Sequence, residues 1–104
     1  MSLKAVLDTL PEGEGAARAD ANGNVAEQVG QIDAETVCAV ASMSMNTLDE
    51  IGSLLGLGSL DGWSIASDSS SLFVHRRATE FVAVVAPATK NPESNLKKLS
   101  QAAW

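Results

Sequence analysis

Residues 33–58 read DAETVCAVASMSMNTLDEIGSLLGLG, and how this stretch coils decides the fold. Asp33 carries a side-chain acceptor suited to cap a helix, and Glu35 puts a carboxylate in the first turn, where the helix macrodipole favours it. Val37, Val40, Ala41, Ser44, Leu48, Ile51 and Leu55 recur at three- and four-residue steps, with Asp49 and Glu50 off that stripe. The spacing predicts one helix from Asp33 to about Leu55 that buries this stripe. Ile51→Asp is then expected to unfold the protein, because it buries a charge without a partner. Gly56 and Gly58 supply the stop. At about 1.5 Å per residue the rod is roughly 33 Å long, enough to cross a five-stranded sheet. Ala39, Ala41, Ser42 and Ser44 give it a small-residue surface that lets a neighbour come close.

On the N-terminal side, Leu3, Val6, Leu7 and Leu10 recur at helical spacing before Pro11 and Gly13, which predicts a short amphipathic helix over residues 2–10. Gly15 to Asp20, then Asn22-Gly23, then Val25 and Val29 predict a hairpin; its first strand is rich in small residues and interrupted by Arg18. On the C-terminal side the rhythm becomes that of strands. Trp63 and Ile65 alternate with Ser64 and Ala66, Asp68 to Ser70 make a turn, and Leu72, Val74 and Arg76 oppose Phe73, His75 and Arg77. A turn at Ala78-Thr79 leads into Phe81 to Ala86, an unbroken apolar run that fits a strand covered on both faces at the centre of the sheet. Pro87 ends it. Asn91 is expected to cap a last helix that starts at Pro92 and carries Leu96, Leu99, Ala103 and Trp104 on its apolar side, with Lys97 and Lys98 outward. The element order of helix, two strands, long helix, three strands and helix is best packed as one sheet with helices on both faces, an α/β arrangement of the α+β kind.

A chain of 104 residues has room for one core, and with 45% hydrophobic and 19% charged residues it has the composition of a packed domain. The net charge of -6, with only seven basic residues, excludes the usual phosphate-backbone binder. No run approaches the roughly 18 apolar residues of a membrane span. The single cysteine, Cys38, sits in an apolar-periodic stretch and suits a reducing cytoplasm.

Chemistry is sparse. His75 is the only histidine, so there is no metal site of recognisable spacing. A Cys38-His75 nucleophile pair is conceivable, but a structural role for both is the stronger reading. The carboxylate neighbours Glu12 and Glu14, and Asp49 and Glu50, are typical of solvated faces. Gly13-x-Gly15 lacks the third glycine and the flanking strand and helix of a dinucleotide fingerprint. Catalytic, cofactor and metal sites are therefore expected to be absent. Arg76 and Arg77 either clamp an acidic partner or end a strand in solvent, and Trp63 is either a core residue or an edge anchor.

The segments GAARADANGNVAEQVG, DAETVCAVASMSMNTLDEIGSLLGLGSL, SLFVHRR, TEFVAVVAP and NPESNLKKLSQAA, in this order and spacing, resemble the roadblock/dynein light chain family, including its bacterial MglB-type members. The likeness spans about residues 3–103. The short opening helix, Ala17 and Arg18 in the first strand, and the two tryptophans depart from the family pattern. The resemblance implies one profilin-like domain over residues 1–104: a five-stranded antiparallel sheet with the long helix on one face and two short terminal helices on the other. It further implies a homodimer in which edge strands join across a twofold and the long helices lie side by side. Dimer contacts are then expected at Trp63, Ile65, Ala39 and Ser42. The segment from Asp61 to Asp68 lacks the Lys or Pro that would blunt an edge. Family members regulate or scaffold Ras-like small GTPases without catalytic residues of their own, which implies a GTPase-binding surface near Met43, Asn46, Thr47 and Glu50. Two other classes remain open: a small-ligand sensor, which needs an enclosed pocket, and a minor enzyme using Cys38.

Overall fold

The computed structural model describes residues 3–8, 13–58, 60–88 and 92–101. In chain order the elements are α1 (Leu3–Asp8), β1 (Gly15–Asp20), β2 (Val25–Gly30), α2 (Ala34–Leu54), β3 (Gly62–Ala66), β4 (Ser70–Arg77), β5 (Glu80–Pro87) and α3 (Pro92–Gln101). The ends expected for the first helix at Leu10 and Pro11, the Asn91 cap, Ala103 and Trp104 lie outside the described residues.

The five strands form one antiparallel sheet in the order β2-β1-β5-β4-β3. The apolar run of β5 is central, as its unbroken hydrophobicity predicts. Strand alternation then divides its residues between two cores. Val82, Val84 and Ala86 join Leu3, Val6, Ala16, Phe73 and Leu99 beneath α1 and α3. Phe81 and Ala83 join Ala17, Ala19, Val74 and Trp63 beneath α2. On the first face α1 covers β1 and β2 while α3 covers β3 and β4; on the second, α2 lies over β1, β2 and β5.

The β1–β2 turn is built by Asp20. Its carboxylate accepts the Asn22 and Asn24 backbone N–H groups at 2.9 and 3.0 Å and the Asn24 side-chain amide at 3.1 Å. These bonds hold its pKa below the ordinary carboxylate value, the Asn24 backbone bond contributing most. Gly23, at a φ of +87°, lets the turn reach the helix: a Cβ there would lie 3.0 Å from the Cys38 carbonyl oxygen. Arg18, expected to weaken β1, instead ties three strands together. Its guanidinium bonds Glu27 on β2 at 3.2 Å and Glu80 on β5 at 2.5 Å.

α2 is continuous over 21 residues, as the sequence predicts. Asp33 caps it, accepting the Thr36 N–H at 3.5 Å. At the other end the Gly56 N–H bonds Ser53 and the Leu57 N–H bonds Gly52, with Gly56 at a φ of +71°, a Schellman stop. The expected buried stripe holds only at Ala41, which is buried, and Val37, which packs against the core. Ala34, Cys38, Ala41, Ser42 and Met45 face the sheet, whereas Val40, Leu48, Ile51 and Leu55 are exposed, Ile51 by 46%. The expectation that Ile51→Asp unfolds the domain falls with it. The reason is size: the sheet beneath α2 comes close enough that mostly Ala, Ser and Cys fit, which leaves the large aliphatics to the outside.

Candidate functional site

The candidate surface follows from that displaced stripe. Helical spacing sets Val40, Met43, Thr47, Ile51 and Leu54 along the outer side of α2, and Met43 and Leu54 are 71% and 86% exposed. Scattered exposed apolar residues are ordinary; a contiguous row along one helix is not. The row carries no charged side chain, whereas Glu35, Asn46, Glu50 and Ser53 lie along one flank of the helix.

Beside the row lies a groove of about 610 Å³, open to solvent and lined by Met43, Ser44, Thr47, Leu48, Trp63, Ser64 and Ile65. One wall is α2 and the other is β3, the last strand of the sheet. Residues expected from separate considerations thus meet in one place: Met43 and Thr47 from the partner-binding set, Trp63 and Ile65 from the dimer set. Trp63 is buried against Val74, so it is a core residue whose ring also floors the groove, and its indole N–H finds no acceptor among the described residues. Ile65 projects on the same side of the strand and is 54% exposed.

The remaining expected residues lie elsewhere. Asn46 and Glu50 are exposed on the polar flank. Ser42 is only 7% exposed and donates its hydroxyl to the Ala21 carbonyl at 2.7 Å, so it holds the β1–β2 turn and does not face the groove. Ala39 is exposed but its Cα stands against the same turn, close to Gly23.

Asp49, read from sequence as a solvated carboxylate, has a structural task. Its Oδ1 accepts the Leu60 N–H at 2.8 Å and faces Arg76 at 3.5 Å, which joins α2, the loop after it and β4. Nothing in the periodicity could show this, because the contact depends on where the loop returns. Arg76 is thereby engaged within the chain, and Arg77 donates to the Ser100 carbonyl of α3 at 2.7 Å. Neither is a free clamp.

Cys38 is wholly buried under α2, and burial pushes its thiol pKa up, away from the reactive thiolate. His75 follows Phe73 by two residues on β4 and so lies on the opposite face of the sheet. The Cys38-His75 pair is separated by the sheet itself. Burial, aided by Arg77, holds the His75 imidazole below its ordinary value. Among the described residues no group of His, Cys, Asp and Glu is arranged to hold a metal ion, and no helix is long and apolar enough to cross a membrane.

A long helix across one face of this strand order, with β3 ending the sheet beside it, has counterparts among solved structures. The Roadblock/LC7 domain from Streptomyces avermitilis superposes with a TM-score of 0.80 at 20% identity, over 93% of this chain and 84% of that one. The chain has the roadblock fold. The gliding protein MglB from Thermus thermophilus matches with a TM-score of 0.75 at 18% identity, over 92% of this chain and 78% of that one. A further roadblock-fold structure, described as MglB with tetrameric arrangement, gives 0.76 at 18% identity, over 92% and 77%. No protein-family model and no curated protein matches the sequence.

Proposed function

We propose that this chain, over residues 1–104, is a non-catalytic protein-interaction module that acts as a homodimer to regulate or scaffold a Ras-like small GTPase. The observation that carries the reading is the meeting, on a roadblock fold, of an uncharged apolar row on α2 with a strand edge that pairs with no other strand among the described residues. A contiguous apolar row of this kind marks a surface that gains stability when another protein covers it. The tetrameric arrangement of one MglB structure supports self-association as the means. Met43 and Thr47 serve the apolar contact, while Asn46 and Glu50 supply polar specificity at its rim. The buried, unreactive Cys38 fits a reducing cytoplasm, and no residue is assigned a catalytic role.

The test has two parts. Sedimentation at micromolar concentration should give a dimer, and a pull-down from the native cell lysate should retain a small GTPase that Glu50→Lys releases while the dimer persists. A monomer at all concentrations, or a retained set without any GTPase, sinks the proposal. A second reading, a small-ligand sensor, draws on the volume and mainly apolar lining of the groove, which is open to solvent where that reading expects an enclosed pocket. A melting temperature raised by small metabolites and by no GTPase favours that reading.

A further inference from the structure

On the face of the sheet opposite α2, β4 carries Phe73, His75 and Arg77 in alternation. Phe73 packs in one core with Leu99 of α3, and the Arg77 guanidinium donates to the Ser100 carbonyl at 2.7 Å. His75, set between these two, lies beneath the same helix, which covers both β3 and β4. Its imidazole leans across β3 over Gly62, its register partner: a Cβ at Gly62 would stand 3.2 Å from His75 Cδ2. The missing side chain leaves a niche for the ring, which is half-buried under α3.

We infer that His75 and Arg77 form an acid-sensitive latch for α3: a proton taken up by the imidazole sets a second positive charge beside the Arg77 guanidinium under the helix, and α3 lifts from β3 and β4 as the pH falls. The groups around His75 favour this direction. Arg77 is the next residue along the same face of its own strand. From β5, Val82 stands opposite His75 without charge, and Glu80, opposite Arg77, has its carboxylate bonded by Arg18. Before β3, Asp61 attracts the cation, but it is exposed and water weakens its pull. On α3, Glu93, Lys97 and Lys98 are exposed, while the buried Asn95 and Leu99 carry no charge.

Burial is the main reason the docked imidazole resists the proton, with Arg77 adding repulsion and Asp61 opposing it. Once α3 has lifted, the ring meets water and its pKa returns to the ordinary value of about 6.5. Docking is therefore fully stable above that value, and part of its stability is lost as the pH falls from there through the lower docked value. From roughly pH 7.5 to 5.5 the opening equilibrium of α3 should rise toward a ceiling of about tenfold, set by the proton uptake of a solvated imidazole over that range. His75 is the only histidine in the chain, so this window isolates it from the carboxylates, which titrate lower. The row on α2 and the groove stand on the other face of the sheet, and the latch is independent of whatever covers them.

Amide hydrogen exchange of the full chain, expressed as protection factors, tests the latch. Over the same pH range the amides of Leu96 to Gln101 should lose protection several-fold, toward the ceiling of about tenfold, while those of β1 and α2 keep theirs. In His75→Phe, which should still melt cooperatively, the loss at α3 should disappear. A nuclear magnetic resonance titration of the native chain supplies a second measurement that needs no variant: the imidazole should take up its proton with a midpoint below its ordinary 6.5. A loss of α3 protection smaller than about twofold, or an equal loss in β1 and α2, overturns the latch. So does an equal loss in His75→Phe, or an imidazole midpoint at or above 6.5.

Discussion

Ala78 holds a backbone φ of +53° in the turn between β4 and β5, a left-handed conformation that costs a residue with a Cβ roughly 1–2 kcal/mol. Glycine adopts it freely but loses more entropy on folding, so Ala78→Gly should yield a net gain of about 0.5–1 kcal/mol, read as a rise in melting temperature. Asp20 makes the opposite case, a side chain suited to its place. Its folded pKa is lowered, so its stabilisation is complete above the unfolded value of about 3.9 and is lost as the pH falls through the lower folded value. The gap in melting temperature between the native chain and Asp20→Ala should accordingly be widest near neutrality and close in acid. Should the gap widen in acid, the carboxylate is not what the turn uses. Cys38, buried and with its thiol pKa raised, should react with an alkylating reagent only as fast as the domain opens.

Among the elements, α2 shows best what could be read from the chain in advance and what could not. Its extent was legible because caps are local chemistry: Asp33 at one end and Gly56 at the other act on backbone groups within a turn. Its inward face was legible only at Val37 and Ala41. The helix has two apolar sides, and a rule that assigns the larger residues to the core chooses the outer one, since Val40, Leu48 and Ile51 outweigh Ala34, Cys38 and Ser42. Which side is buried depends on how close the sheet comes, and that distance is set by Ala17, Ala19 and Ala83 on other strands. A pair of variants separates the two sides. Ala41→Asp buries a charge against the sheet and should abolish cooperative melting, whereas Ile51→Asp should melt within about 1 kcal/mol of the native chain. β5 was legible for the reason α2 was not, because a strand apolar on both sides has only one place to go. The roles of Arg18 and Asp49 were hidden, since each depends on partners more than eight residues away.

For the whole molecule, the order of elements carried the fold, and the candidate surface was legible only in part. Met43, Thr47, Trp63 and Ile65 meet at the groove, while Ser42 turns inward because the β1–β2 turn needs its hydroxyl. The apolar row on α2 and the uncharged β3 also fix how the proposed association should respond to ionic strength. Each copy brings a net charge of -6 and no ion pair waits at the contact, so mobile ions should weaken the repulsion between copies and leave the attraction intact. The dissociation constant of the dimer should fall as sodium chloride rises from about 20 mM to 200 mM, the reverse of an association held by salt bridges.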